Sequence, residues 1–305
     1  MSKVYMISGF LGAGKTTFIK KLVKQFADQR IHLIINEFGK EGVDGELCKE
    51  LKTTMDEINN GSIFCTCRLE QFETVLAAAL AKNPDLIFVE ASGLSDPTNV
   101  ARIFSEKDKF ANLDYRGCVT IVDASSFHKV FETASVVKKQ LGVSNLILIN
   151  KVDLVTAADL SRARALAAGC RPDTPIYETT YGEIRKSWLT SMTPESSDGM
   201  EPSIQQMDVT LKKFCIHVSD TFTVNGMRRF IEQILPDTYR VKGFVRIEGK
   251  IWLLDCVGSM FKMEPYDKKP DNINDIIALS GRGMDTRRSI RRAAELYPEQ
   301  VLGVE

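Results

Sequence analysis

Gly9-Phe10-Leu11-Gly12-Ala13-Gly14-Lys15-Thr16-Thr17 follows an apolar run at residues 4–7 and leads into a helical pattern. A strand, a glycine-rich turn and a helix in that order, with G-x-x-x-x-G-K-[ST] spacing, make a phosphate-binding loop, and that loop decides the fold. Glycines let the backbone curl until its N–H groups point inward at phosphate oxygens. The helix that follows presents its positive end to the same anion. On this reading Gly9, Gly12, Ala13, Gly14, Lys15, Thr16 and Thr17 surround the phosphates. Lys15 reaches the β- and γ-phosphates as the catalytic cation, and the Thr16 hydroxyl binds Mg²⁺.

Outward from the loop, apolar runs occupy residues 31–35, 86–89, 119–122 and 146–149. None alternates with period two, as expected of a parallel sheet covered on both faces. Helical stripes separate them, the clearest being Phe72, Val75, Leu76, Ala79 and Leu80, which core packing explains. The pattern predicts a doubly wound, mainly parallel α/β domain over residues 1–187, with a last short strand near 176–178. Residues 188–210, with Pro194, Gly199 and Pro202, read as a linker. A smaller α+β domain is predicted over residues 211–305. It holds a strand at 214–218, a helix carrying Met227, Phe230, Ile231 and Ile234 with Asn225 as its cap, and paired strands at 241–247 and 250–257 joined at Glu248-Gly249.

Asn150-Lys151-Val152-Asp153 closes the run at 146–149. A carboxylate at Asp153 can accept from guanine N1–H and the 2-amino group together, whereas adenine would face it with an acceptor. Asn150 can hold the loop and approach the base, and the Lys151 stem can lie over the base plane. After the last strand, Thr179-Thr180-Tyr181-Gly182 supplies a backbone wall, with Thr180 toward the base. The nucleotide expected is therefore GTP or GDP, and the expected enzyme a GTPase.

Glu90-Ala91-Ser92-Gly93-Leu94-Ser95-Asp96-Pro97 follows the run at 86–89. A carboxylate at Glu90 suits the Mg²⁺ shell or the orientation of an attacking water, and Gly93 would let the backbone approach a γ-phosphate. A turn that starts a helix would satisfy the same residues. The glycines and acids at 36–44 suit a switch loop. Cys65 and Cys67 lie two apart in a loop, where two thiols can share a soft metal ion. Two incidental small residues, or a redox pair, would look the same.

Forty basic and forty acidic side chains among 305 residues leave no net charge, which argues against a nucleic-acid partner held through its phosphates. Arg287, Arg288, Arg291 and Arg292 form one local basic cluster, better read as a solvated helix face. No apolar run approaches the roughly 18 residues of a membrane span, and no signal-peptide layout opens the chain. Seven scattered cysteines do not make a disulfide framework. A cytoplasmic protein without a membrane partner is expected.

Taken together, these motifs resemble the CobW/HypB/UreG family of P-loop GTPases, and its CobW-like branch in particular. The resemblance rests on residues 9–17, Asn36-Glu37-Phe38-Gly39, Asn60-Gly61 before a cysteine segment, residues 90–97, Asn150-Lys151-Val152-Asp153, and Arg240-Val241-Lys242-Gly243. It covers nearly the whole chain. It implies a GTPase domain coupled to a transition-metal site, acting as a metallochaperone or enzyme activator on a client metalloenzyme or cofactor-dependent enzyme; homodimerisation stays open. The family's Cys-x-Cys-Cys motif falls on Ser62, Ile63, Phe64 and Cys65, so two of its three cysteines are absent. Cys67 is an additional thiol, and Glu37 matches a switch acid that completes the family's site. The resemblance thus implies Zn²⁺ or Co²⁺ at Glu37, Cys65 and Cys67, beside Mg²⁺ at Thr16 and Glu90. The alternative is a GTP-dependent assembly factor that carries no transition metal. A P-loop kinase is disfavoured by the Asn-Lys-x-Asp motif.

Overall fold

The structure is a computed structural model that describes residues 1–35, 54–57, 69–105, 110, 112–194, 211–258, 260–267, 269–270 and 272–305. The chain divides into two compact units, Met1–Asp208 and Val209–Glu305.

In the first unit β1 (Ser2–Ser8) runs through the glycine-rich loop into α1 (Lys15–Gln25). There follow β2 (Ile31–Ile35), β3 (Thr54–Glu57), α2 (Leu69–Ala81), β4 (Leu86–Glu90), α3 (Thr98–Ser105) and β5 (Leu113–Asp123). Then come α4 (Phe127–Thr133), α5 (Ser135–Gly142), β6 (Leu146–Asn150), α6 (Ala157–Cys170), β7 (Ile176–Glu178) and α7 (Lys186–Thr190). The strands lie in the order β3-β2-β4-β1-β5-β6-β7, every neighbouring pair parallel. Both faces are covered, which is why the strand sequences do not alternate. On β1, Tyr5 and Ile7 enter a core with Phe18 and Leu22 of α1, while Val4 and Met6 enter another with Phe72 and Leu76 of α2 and Val100 and Phe104 of α3.

In this unit two points differ from the sequence expectation. β3 was not predicted, because Thr54-Met55-Asp56-Glu57 contains no apolar run; among the described residues it pairs with β2 alone, at the sheet edge. The expected linker start at residue 188 is also corrected. Leu189 and Met192 are buried in the first unit's core, and Trp188 stacks on Tyr177 with ring centroids 3.9 Å apart. Apolar residues at 188, 189 and 192 anchor this stretch, and the proline-rich composition that suggested a linker begins only at Pro194.

The second unit is an antiparallel sheet with helices on one face. Its elements are β8 (Lys212–Val218), α8 (Val224–Ile234), β9 (Arg240–Ile247), β10 (Lys250–Val257), β11 (Met263–Pro265), β12 (Asp275–Ser280), α9 (Thr286–Glu295) and β13 (Val301–Val304). The strand order is β11-β10-β9-β12-β8-β13. Ile216, Val218, Val245, Ile276 and Ala278 pack inward against Met227, Phe230 and Ile231 of α8 and Ile290 of α9. Glu248 and Gly249 both take positive φ, 51° and 78°, as a two-residue hairpin turn between β9 and β10 requires. The helix cap is Thr223 and not Asn225: the Thr223 hydroxyl accepts from Gly226 N at 3.0 Å. Asn225 already lies in the first helical turn, past the position whose side chain can reach back to the open N–H groups. Arg287, Arg288, Arg291 and Arg292 are exposed, while Thr286, Ile290 and Ala293 face inward. Among the described residues no helix is long and apolar enough to cross a membrane.

Candidate active site

A parallel sheet delivers every strand's C-terminal end to one edge, so the loops after β1, β4, β5 and β6 share a rim. Register aligns that rim: Ile7 lies beside Glu90, Ser8 beside Thr120, and Asp123 beside Asn150. The glycine-rich loop leaves β1 there and ends at Gly14, the cap position of α1, with φ of 102°. No side chain caps this helix and no acid sits in its first turn, so its positive end is presented to an anion. Lys15 is only 8% exposed, and its ammonium donates to Gly9 O at 2.8 Å and Phe10 O at 3.2 Å. Thr16 is half-buried beside it and Thr17 exposed. A curled backbone, an inward cation and an uncapped helix start fit a polyphosphate.

Asn150 joins this loop to the far side of the rim. Its side chain, 2% exposed, donates from Nδ2 to Ala13 O at 2.9 Å and accepts from Gly182 N at 3.0 Å. A Cβ at residue 14 would lie 2.5 Å from Asn150 Nδ2, so glycine there is the condition for this staple. Lys151 takes φ of 62°, and its ammonium donates to Asp123 Oδ2 at 2.6 Å. Asp123 also accepts from Ser125 N at 3.0 Å and Ser125 Oγ at 2.6 Å. Asp153 stands in a short 3-10 turn with its carboxylate exposed. Beside it, Val152 N donates to Thr179 O at 3.3 Å, and Thr179 Oγ1 donates to Glu183 O at 2.8 Å. Thr180 is half-buried and Tyr181 exposed. Thr179-Thr180-Tyr181-Gly182 therefore lies next to the turn that holds Asp153.

Glu90 is 5% exposed and ends β4 between Ile7 of β1 and Ile35 of β2. Gly93 is placed for close approach, but to the phosphate loop itself: a Cβ there would lie 2.8 Å from Leu11 N. Gln140 of α5 holds the segment, donating to Gly93 O at 3.1 Å and Ser95 O at 3.4 Å. Asp96 starts α3, accepting from Thr98 N at 3.0 Å and Thr98 Oγ1 at 2.7 Å, and receives Lys139 at 2.8 Å. The segment thus divides its labour: Asp96 serves the helix start, and Glu90 stays on the rim.

Sequence reasoning missed Asp123 and Gln140. Asp123 left a faint signal, a polar residue immediately after the apolar run at 119–122; Gln140 left none, since it belongs to a helix that only the fold brings behind the segment at 93–95. Glu37, Cys65 and Cys67, together with residues 36–44 and 60–64, lie outside the described residues.

Residues 3–178 match the family model for the CobW/HypB/UreG nucleotide-binding domain, and residues 211–294 that for the cobalamin synthesis protein CobW C-terminal domain. A zinc chaperone CobW from Sinorhizobium sp is 30% identical, the match covering 86% of this chain and 87% of that protein. The zinc chaperone YjiA of Escherichia coli K12 is 24% identical, covering 82% and 81%. The crystal structure of the Zn(II)-bound YjiA GTPase from E. coli aligns over 97% of this chain and 98% of that one, with 19% identity and a TM-score of 0.48.

Proposed function

We propose, from the premise that this chain belongs to the CobW/HypB/UreG family, that it binds and hydrolyses GTP and uses the cycle to deliver a transition-metal ion to a client metalloenzyme. The observation that carries the nucleotide half is the Asn150 side chain, hydrogen-bonded to Ala13 O in the phosphate loop and to Gly182 N beside the base-reading turn. It joins the phosphate loop to the turn beside Asp153 in one rim, which supports a single nucleoside triphosphate spanning both.

Each residue then has a task. The loop N–H groups and Lys15 take the phosphate charge, and Lys15 neutralises what develops as the γ-phosphate leaves. Asp153, exposed at the rim, accepts from guanine's N1–H and 2-amino group. Asp123 holds the Lys151 ammonium, so that the stem has a set direction along the base. Hydroxyl and carboxylate oxygens are the hard donors Mg²⁺ prefers, and Thr16 and Glu90 supply one of each; bound there, the ion would neutralise charge on the β- and γ-phosphate oxygens.

The metal half rests on family membership, on the zinc chaperone relatives, and on the thiols of Cys65 and Cys67 with Glu37. Thiolates suit a reducing compartment, so the cytoplasm is the proposed location. A ligand on a loop that senses the γ-phosphate cannot keep one position in both nucleotide states. Metal affinity should therefore differ between the GDP and GTP states by about 5- to 150-fold, with reciprocal coupling. Metal titrations with GDP and with a non-hydrolysable GTP analogue, repeated with Glu37→Gln, test this. Equal affinities would reject GTP-driven delivery. A chain that binds no Co²⁺ through thiolates at Cys65 and Cys67 would favour the second reading, a GTP-dependent assembly factor, which Ser62 and Phe64 at the family's cysteine positions support.

A further inference from the structure

The second unit carries a cluster of donors that its core does not use. On β8 the inward residues are Ile216 and Val218, so Cys215 and His217 project together from the opposite face. Asp275 of β12 lies directly across from His217. Glu305 lies across from Cys215 on the other side, each backbone N–H donating to the other's carbonyl, at 3.0 and 2.9 Å. Directly opposed side chains in an antiparallel pair start within about 5 Å of each other, so register alone gathers these four groups.

The side chains converge. His217 Nδ1 is 2.7 Å from Asp275 Oδ1, and Nε2 is 3.6 Å from Glu305 Oε1. One donor atom each from Cys215, His217 and Asp275 lies within 4.8 Å of the others. Donor atoms around a tetrahedral zinc ion, at bonds of 2.0–2.3 Å, are roughly 3.3–3.8 Å apart. Shifts of about 1 Å would close that gap, within the reach of half-buried side chains on a sheet surface. Sulfur, imidazole nitrogen and carboxylate oxygen together are a borderline donor set, which disfavours Mg²⁺ and Ca²⁺ and suits Zn²⁺ or Co²⁺.

We propose that Cys215, His217 and Asp275 form a site for a thiophilic divalent cation on the helix-free face of this sheet, with water completing the shell. All of these donors belong to the second unit. Binding displaces a proton from the Cys215 thiol and from the His217–Asp275 pair. Affinity should therefore climb with pH.

The test uses the full chain carrying Cys65→Ser and Cys67→Ser, which silences the other thiol pair, titrated with Co²⁺. A thiolate-to-cobalt absorption band should appear, vanish on adding Cys215→Ser, and need more than about tenfold more Co²⁺ with His217→Gln. As a check independent of folding in those variants, Zn²⁺ should shift the His217 ring resonances in the Cys65→Ser, Cys67→Ser chain. No thiolate band, a band that survives Cys215→Ser, or unmoved His217 resonances would overturn the proposal. GTP turnover of Cys215→Ser in the otherwise native chain reads the proposed GTPase separately.

Discussion

The two units gather chemistry in opposite ways. In the first, seven parallel strands bring their C-terminal ends to one rim, and the strand ends and the turns after them carry the proposed working groups: Lys15 after β1, Glu90 at the end of β4, Asp123 at the end of β5 and Asp153 after β6. In the second, neighbouring strands run antiparallel and leave no such rim, and the groups that meet do so on a sheet face, as Cys215, His217 and Asp275 do. A rim collects residues in loops, whose backbone can curl around a ligand. A face collects residues only through side chains, so it suits a small ion better than an extended nucleotide. The first arrangement should accordingly be sensitive to backbone-coupled substitutions, and the second to single donor atoms.

The largest effect should come from the rim's cation. Lys15→Ala is expected to lower GTP turnover by about 100- to 1,000-fold, the usual loss when one preorganised charge-stabilising group is removed. Phosphate release measured beside circular dichroism reads this; native turnover in a folded variant would remove Lys15 from the chemistry. Asp153→Asn should follow, weakening GTP binding by about 2–4 kcal/mol, because an amide donor would face guanine's donors. Calorimetry with GTP and ATP decides it, and equal binding of the two by the native chain would be fatal to the base assignment.

Asn150→Ala should cost about 1–3 kcal/mol of first-unit stability, since Ala13 O and Gly182 N both lose a buried partner. Urea unfolding measures it, and nucleotide affinity should fall in parallel because loop and base turn are no longer tied. Unchanged affinity in a destabilised variant would make Asn150 a packing residue and weaken the picture of one rigid rim.

The smallest effect belongs to the face. His217 should titrate above its ordinary value of 6.5, mainly because its ring is hydrogen-bonded to Asp275. The sign follows: the protonated ring is favoured in the folded state, so its stabilisation is fully present below pH 6.5 and is lost as pH rises through the raised value. At a half-buried surface site, screened by solvent, this is a minor contribution. Proton NMR of the ring should show the raised midpoint in the native chain and a return toward 6.5 in Asp275→Asn. A midpoint indifferent to that substitution would mean the pair is not formed in solution.

The sequence by itself determined what is contiguous. Nine consecutive residues make the phosphate loop because a curled backbone needs its glycines, lysine and threonines at set spacing. Asn150-x-x-Asp153 is legible for the same reason, as are the apolar runs that became β1, β2, β4 and β6. Tertiary structure alone decided which distant residues meet. Nothing near Asp123 announces Lys151, nothing in the helix around Gln140 announces Gly93, and His217 and Asp275 stand 58 positions apart. β3, too, emerged only from pairing, since Thr54-Met55-Asp56-Glu57 has no apolar pattern of its own. Local sequence encodes backbone conformation and burial, both of which act within a few residues. Register between strands is a property of the assembled sheet, and a one-residue slip in it would turn every one of these side chains to the opposite face.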